Sequence, residues 1–432
     1  MRITSVTVLN GDADPRPDGP VRWAVAGVLV LASVVTTVIL VVRHPGVLVT
    51  LLPATDMQEV HADFDTFWHS AVALTGGPVW GADIYDTPAK LTNLNPPFLT
   101  LLFTPFVALD PLTAYRVFAL VTLLMVVAAV LAVARELRLA AWVTAAVTVT
   151  VLASSPLHGT LVMGQVYPLL FVGLVAGWVA ERRGRPVLAA VLFGVTVALK
   201  PSLAPLLLLA AAQRRWMPFR AGILSATAAT LLGVLVAGPS NAGVWLRIAL
   251  SEPVPDVADN ASLPGLAVRL GVPTVWGTAL GAAVLVGTLI WCGRNRDRID
   301  PAGTAPWAVI AAGLLFSPIS WHNYLLLLWP GVLVLIALGR GAAAAVALAV
   351  AIIPVSWNAS WPPEGFGGDL GRSLYCAVLI GYWIVLMRSA TASPGSPAAP
   401  NGGAPVLTER TNGTFVRLGW TKEPFVAVRA RG

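Results

Sequence analysis

The sequence predicts an all-α, polytopic membrane protein with about 11–12 transmembrane helices and a helical first outer loop. Three observations carry that prediction. Of 432 residues, 56% are hydrophobic and 11% charged, and the mean hydropathy is +0.77, whereas soluble chains carry about a quarter charged residues. Runs such as Val21–Val42, Leu112–Ala134 and Ala221–Gly238 are long enough to cross a hydrocarbon core of roughly 30 Å, where helices satisfy their own backbone. The basic residues cluster at Arg135–Arg138, Arg182–Arg185, Arg214–Arg220 and Arg294–Arg298, with single ones at Arg22, Arg340 and Arg388. Short loops rich in Lys and Arg stay in the cytoplasm, so these alternate loops place both termini inside. The formal charge of +7 is then mainly a topology signal. No basic patch is interleaved with base-stacking aromatics, which argues against nucleic acid as a partner.

Taken in order, residues 1–20 are polar and rich in Asp, Pro and Gly, and read as a disordered cytoplasmic lead. The membrane-embedded domain is expected over 21–388. Its first span, 22–42, is too long for a cleaved signal core and lacks a small-residue cleavage site, so it reads as a retained anchor. Residues 43–111 form the largest outer loop. Within it, His61–Thr75 has the pattern of a surface helix with Phe64, Phe67, Trp68 and Ala71 toward lipid or protein. Pro96-Pro97 stops that chain segment, and the apolar Phe98–Leu109 is expected to lie at the outer interface rather than dip into the membrane.

Further spans are expected at 112–134, 140–157, 165–180, 186–199, 202–213, 221–238, 273–292, 304–316, 323–339, 341–354 and 372–387. The pair 186–199 and 202–213 is short enough for a hairpin of half-spanning helices, tolerated against protein or a cavity. Residues 389–432 are rich in Pro, Ala, Gly and Ser and read as a mostly disordered cytoplasmic tail. Cys292 and Cys376 fall at opposite predicted depths, and neither a disulfide nor a metal-binding motif is expected.

On this topology the unusual polar residues gather on the outer side. Asp63 and Asp65 are two apart, so on a helix they face different ways, one toward a cavity and one toward solvent. A carboxylate against an apolar wall gains proton affinity and can act as a general base. Alternatively, Asp63 is an N-cap and Asp65 a partner of the helix dipole. Asn95 precedes the diproline, which by itself reads as a turn. Gln165, after Gly164 at the outer start of a span, can bond a hydroxyl or phosphate oxygen, or simply cap its helix. Lys200, between two apolar runs, either binds a lipid-linked phosphate as a point charge or snorkels.

His322, beside Trp321 in Ser317-Pro318-Ile319-Ser320-Trp321-His322-Asn323-Tyr324, can contact a phosphate or orient a hydroxyl, or be a satisfied buried histidine. Asn260 lies in another outer loop, and His61, His69, Arg116 and His158 are further outer-side candidates. Trp80, Trp245, Trp357 and Trp361 read as interfacial anchors.

The order of these pieces resembles the polyprenol-phosphate-dependent glycosyltransferases of family 87, which have a GT-C type fold. The resemblance rests on Asp63-Phe64, Gly81–Tyr85, Asn95-Pro96-Pro97, Gly164-Gln165, Leu199-Lys200-Pro201, Asn260–Gly265, and Ser317-Pro318 with Ser320-Trp321-His322. Members often have Tyr where this chain has Asn95, which puts any aromatic contact from that position in doubt.

The resemblance implies an inverting sugar transfer on the periplasmic face of the plasma membrane. The donor would be a polyprenyl-phosphate sugar and the acceptor a glycolipid, with no cofactor; separately, no His/Asp cluster in the sequence demands a metal, so a metal-independent reaction is expected. The Ser-Trp-His piece is more like the mannosyl branch, which implies polyprenyl-phosphate-mannose and an α-1,2-mannosyl extension of phosphatidylinositol mannosides. An arabinofuranosyl donor is the alternative within the family. In the implied roles Asp63 is the base, and Lys200, His322 and Arg116 hold the donor phosphate. Asp65, His69, Asn95, Gln165, Asn260 and Trp321 bind sugar or acceptor.

Two readings of other classes stay open on the residues alone. A transporter also carries intramembrane Lys and His with broken helices, although here the polar residues lie on the outer side rather than at the midplane. A non-enzymatic assembly subunit would tolerate loss of Asp63, Lys200 and His322 together.

Overall fold

Proline sets where many of the helices begin, because it lacks an N–H that the first turn leaves unpaired in any case. The computed structural model describes residues 19–43, 60–77, 82–354, 361 and 365–392. Most of the expected lead, the tail from residue 393, and Trp80, Gly81 and Trp357 lie outside the described residues. Among those described, the structure is helical, and the only strand pairing is a single bridge. The protein is an all-α, multi-pass membrane protein.

Helix α1 runs Pro20–Arg43. Helix α2, Ala62–Gly76, is the helix expected in the outer loop; its N-cap is His61, with no side-chain cap bond, and Asp63 and Asp65 occupy its first turn. The capping alternative for Asp63 is therefore not what the structure adopts. Helix α3, Pro97–Phe103, continues as a 3-10 turn over Thr104–Ala108. Helix α4, Pro111–Glu136, opens on Asp110, whose carboxylate accepts from the Thr113 amide at 3.1 Å.

The single span expected at 140–157 is instead two helices. These are α5, Ala141–Leu152, and α6, Ser155–Met163, bent by 46°. Ser154 caps the new helix through the Leu157 amide and Pro156 sits in its first turn, so the chain restarts there. Helix α7 is Tyr167–Arg182 and α8 is Pro186–Leu199. At Lys200 the backbone is extended, at φ −145° and ψ 91°, because Pro201 disfavours the helical region for the residue before it. A 3-10 turn, Pro201–Leu203, leads into α9, Pro205–Ala212. Arg215, just past α9, pairs with Glu181 near the end of α7. Both ends of 186–212 therefore return to one end of the bundle, and the expected hairpin is present with Lys200 near its apex.

The chain continues through α10 (Trp216–Ala237), α11 (Pro239–Ser251), α12 (Leu263–Arg269), α13 (Thr274–Arg294) and α14 (Ala305–Phe316). A 3-10 helix, His322–Leu328, runs into α15 (Trp329–Ala337). Helices α16 (Gly341–Val350), α17 (Phe366–Gly371) and α18 (Leu374–Arg388) complete the described part. Four helices, α1, α4, α10 and α13, are long and apolar enough to cross a membrane alone, and α5 with α6 makes a bent candidate. The other apolar segments are 10–17 residues long. The expected count of about 11–12 spans therefore exceeds the four or five that are long enough among the described residues, because these breaks divide the apolar runs. Residues 305–315 of α14 are all buried, so this helix is the centre of the core.

Gly164 ends α6 in the left-handed region at φ 71°, and a Cβ there would stand 2.5 Å from the Cβ of Phe64 on α2. Gly164→Ala is expected to lower thermal stability by roughly 2–4 kcal/mol, from left-handed strain and overpacking together. Gly184→Ala, at φ 69° with nothing within 4 Å of its Cβ, should cost only about 1–2 kcal/mol. Equal shifts in the melting temperatures of the two purified variants would refute the close-approach argument.

Candidate active site

Aromatic packing fixes how α2 is turned. Phe64 is fully buried, with ring centroids 5.4 Å from Tyr115 and 5.2 Å from Phe118, while Phe67 lies 5.0 Å from Phe103. Such pairs contribute about 0.5–1.5 kcal/mol each beyond burial. The apolar face of this helix is thus packed on protein, and the residue before Phe64 is turned inward toward α6. There Asp63 accepts a hydrogen bond from Nε2 of Gln165. Burial pushes the Asp63 carboxyl up from 3.8 to about 6, and the Gln165 bond and the Lys200 charge oppose that rise.

Asp63 and Gln165 line a cavity of about 410 Å³ together with His158, Gly159, Asp259, Trp321, His322 and Asn323. Four of these lining residues carry a buried polar atom without a partner: Gln165 Oε1, Asp259 Oδ1, His322 Nδ1 and Asn323 Oδ1. Buried polar atoms are normally satisfied by protein or ordered water, so a polar ligand or water that enters this cavity can complete their bonding. Three of the four are acceptor oxygens, which favours a ligand rich in hydroxyl donors. Asp259 is a second carboxyl raised to about 6, chiefly by burial and against the opposing charge of Arg269. A Cβ on Gly159 would stand 2.5 Å from Asn323 Oδ1 and 2.6 Å from His322, so only glycine leaves this wall open.

A second cavity of about 490 Å³ adjoins the first, and Trp321 lines both. Among the described residues its single cation is Lys200, with Ser202, Trp245 and Glu252 also in the lining and an apolar run through Leu208, Leu285 and Phe316. The Lys200 ammonium donates to Asn95 Oδ1 at 3.0 Å and lies 5.7 Å from the centre of the Tyr324 ring. Tyr324 in turn packs on Tyr167 at 4.5 Å. Asn95 is thus the amide that holds the lysine. It is itself positioned from behind, because Tyr85 donates to its carbonyl at 2.8 Å and Asn93 accepts from its amide at 2.9 Å.

Several expected roles are not where the structure puts the residues. Asp65 is on the other side of α2, accepting from the Lys90 amide at 3.1 Å and pairing with His69 at 3.4 Å; neither lines a cavity of the site. Their spacing of four closes the pair along the helix surface. Arg116 is exposed at the start of α4 and lines neither cavity. Its neighbour Tyr115 takes the inward direction and donates to the Leu161 carbonyl at 2.9 Å.

Asn260 is a fully buried clip rather than a cavity wall. Its amide accepts from the Ser262 and Ser320 backbones at 3.2 and 3.0 Å and donates to the Pro318 carbonyl at 3.1 Å. With the Asn260–Trp321 bridge and the His322 amide on the Asp259 carbonyl at 2.8 Å, it aligns the two loops that carry Asp259 and His322. His322 faces the Asp63 cavity, not the one with Lys200; its Nε2 lies 3.3 Å from the Ser155 carbonyl. Trp245 donates to the Leu94 carbonyl at 3.2 Å and walls the Lys200 cavity, so it is part of the site rather than a free interfacial anchor.

Asp259 and Asn323 were not singled out from the sequence. Asn323 stands inside the quoted Ser-Trp-His run, so adjacency was its signal. Asp259 precedes Asn260 and had no other. Among the described residues no group of three or more His, Cys, Asp or Glu has metal-binding geometry.

The model of glycosyltransferase family 87 matches residues 93–318. The chain is 26% identical over 302 residues to the polyprenol-phosphate-mannose-dependent alpha-(1-2)-phosphatidylinositol mannoside mannosyltransferase of Mycobacterium tuberculosis, covering 63% of this chain and 69% of that protein. No solved structure matches it.

Proposed function

This chain belongs to glycosyltransferase family 87, and we propose that it moves mannose from a polyprenyl-phosphate-mannose donor to a glycolipid, extending a phosphatidylinositol mannoside through an α-1,2 linkage. The single observation that carries the reading is the pair of adjoining cavities, one acceptor-rich around Asp63 and one apolar around Lys200, with Trp321 between them. The first matches sugar hydroxyls; the second matches a phosphate on a prenyl tail. The name of the mycobacterial relative supports both the donor and the acceptor. The arginine clusters at the opposite end of the helices favour a periplasmic site with cytoplasmic termini.

In the proposed reaction Asp63 takes the proton from the acceptor hydroxyl as its oxygen attacks the anomeric carbon. The bond from that carbon to the phosphate oxygen breaks, polyprenyl phosphate leaves with the electron pair, and the configuration inverts. Lys200 stabilises the charge that grows on the departing phosphate, which is where stabilisation speeds the step. Gln165, Asp259, His322 and Asn323 hold the sugar hydroxyls. A base at about 6 is stronger than an ordinary carboxylate yet still largely ionised at neutral pH, as general-base catalysis requires.

The reaction is expected to fall as pH drops through about 6, because Asp63 must be unprotonated to accept the proton. Gln165 and Lys200 both hold that carboxyl down, so Gln165→Ala should move the acid limb of the kcat/KM profile upward. A limb that stays put or moves downward would contradict the assignment. The central assay incubates purified protein with mannosyl or arabinofuranosyl polyprenyl phosphate and phosphatidylinositol mannosides, then reads product mass and linkage. Mannosyl product with an α-1,2 bond is expected. Arabinosyl product alone, or solute flux without transfer, would overturn the proposal.

A further inference from the structure

The segment that carries Asn95 is pinned to α2 before it reaches Lys200. The Lys90 amide donates to Asp65 at 3.1 Å, Thr66 donates to the Leu91 carbonyl at 3.1 Å, and Asn93 Nδ2 donates to Ser70 Oγ at 3.0 Å. Asn93 Oδ1 accepts from the backbone amide and Nδ2 of Asn95, at 2.9 and 3.3 Å, and Asn95 Oδ1 accepts from Lys200 at 3.0 Å. Ser70, Asn93 and Asn95 are 0, 3 and 5% exposed, so bulk water does not compete for these bonds. Each link has one allowed direction. A lysine only donates, so the carboxamide oxygen of Asn95 must meet it and Nδ2 must meet Asn93. The same logic turns Asn93 Nδ2 to Ser70, whose hydroxyl donates to the Ile84 carbonyl at 2.8 Å. The lysine therefore sets the orientation of two buried amides, and they tie it to the helix that bears Asp63.

Two uncharged groups hold the Lys200 ammonium, the Asn95 amide oxygen and the face of the Tyr324 ring. Among the described residues no carboxylate pairs with it, although Glu252 lines the same cavity. Arg183, Arg215 and Arg372 are by contrast paired with Glu136, Glu181 and Asp369. An ammonium has three N–H donors, and the bond to Asn95 uses one. A carboxylate in place of that amide would cancel most of the positive charge felt by an incoming anion, because a nearby opposite charge acts on the anion with the reverse sign. We propose that Asn95 is the positioning residue of Lys200, and that its neutrality reserves the ammonium for an anionic phosphate. This rests on the reading that Lys200 receives the donor phosphate. It goes further in naming what aims the lysine and what lets the cavity choose by charge, polyprenyl phosphate over the uncharged polyprenol of the same length.

The test is equilibrium binding of polyprenyl phosphate and of polyprenol to the purified full chain. Asn95→Asp keeps the shape of the side chain and strengthens its hold on Lys200. It should nevertheless weaken polyprenyl phosphate roughly 100-fold and leave polyprenol unchanged. Asn95→Ala adds no charge and should cost roughly tenfold, the scale of one hydrogen bond to a charged group. In a Lys200→Met background the alanine change should cost nothing further, because there is no lysine left to aim. Phosphate affinity unaltered by Asn95→Asp overturns the inference. So does an equal loss for both ligands, which is the mark of a damaged fold, or an alanine effect that persists in full beside Lys200→Met. In each of these cases Lys200→Met alone still weakens polyprenyl phosphate, so the phosphate assignment survives. Lys200→Met with undiminished phosphate affinity removes that assignment and this inference together.

Discussion

Asp63→Asn is expected to lower turnover by roughly 10²–10⁴-fold, the range a positioned general base contributes, with donor affinity nearly intact. The amide is isosteric and still meets Gln165 across the same cavity, so the α2 packing that depends on Phe64 and Phe67 should survive. The donor phosphate is assigned to the adjoining cavity, which Asp63 does not line. The measurement is single-turnover transfer beside equilibrium binding of the polyprenyl phosphate. Near-normal transfer removes Asp63 as the base; lost donor binding would show that the two cavities are not divided as proposed. Asp259→Asn separates the two carboxyls of the cavity. It should raise KM for the acceptor more than it lowers kcat, since its role is to hold a hydroxyl rather than to take the proton.

Lys200→Met should weaken the donor complex and slow its breakdown together. A lysine–phosphate contact near 4 Å is worth on the order of 4 kcal/mol at an effective dielectric near 20. Allowing for a half-buried ammonium, kcat/KM for the donor should fall roughly 10²–10³-fold. Methionine keeps the length and apolar stem, so Asn95 loses its partner while the hairpin apex stays filled. Because the Lys200 charge also holds Asp63 down, the same variant should shift the acid limb of the pH profile upward. A variant that loses donor binding without that shift would place Lys200 farther from Asp63 than the structure has it. His322→Ala serves as contrast, since its ring faces the Asp63 cavity. It should affect acceptor use more than donor affinity.

Much of the fold could be read from residue order. The apolar runs gave the helices, though not the break at Ser154. The Lys200-Pro201 break gave the hairpin apex, because proline acts on the residue before it wherever that residue lies. The division of labour inside the site was not legible. Asp63 and Asp65 are chemically alike, and only the aromatic packing around Phe64 decides which one meets Gln165. Asn260 has the residue type of a sugar ligand, yet its amide oxygen and one N–H are taken up in joining two loops. His322 and Lys200 both suit a phosphate, but the turn at Trp321 sends them to different cavities.

What the sequence by itself determined is therefore the membrane class and the helices on which the candidate residues ride, because hydrophobicity, charge and proline act locally. Which polar side chains are consumed in holding the loops, and which line a cavity, was decided only when residues 102 and 105 apart, Asp63 with Gln165 and Asn95 with Lys200, came together. Hydrogen-bond satisfaction is a property of the packed neighbourhood rather than of the residue, and no local pattern encodes it.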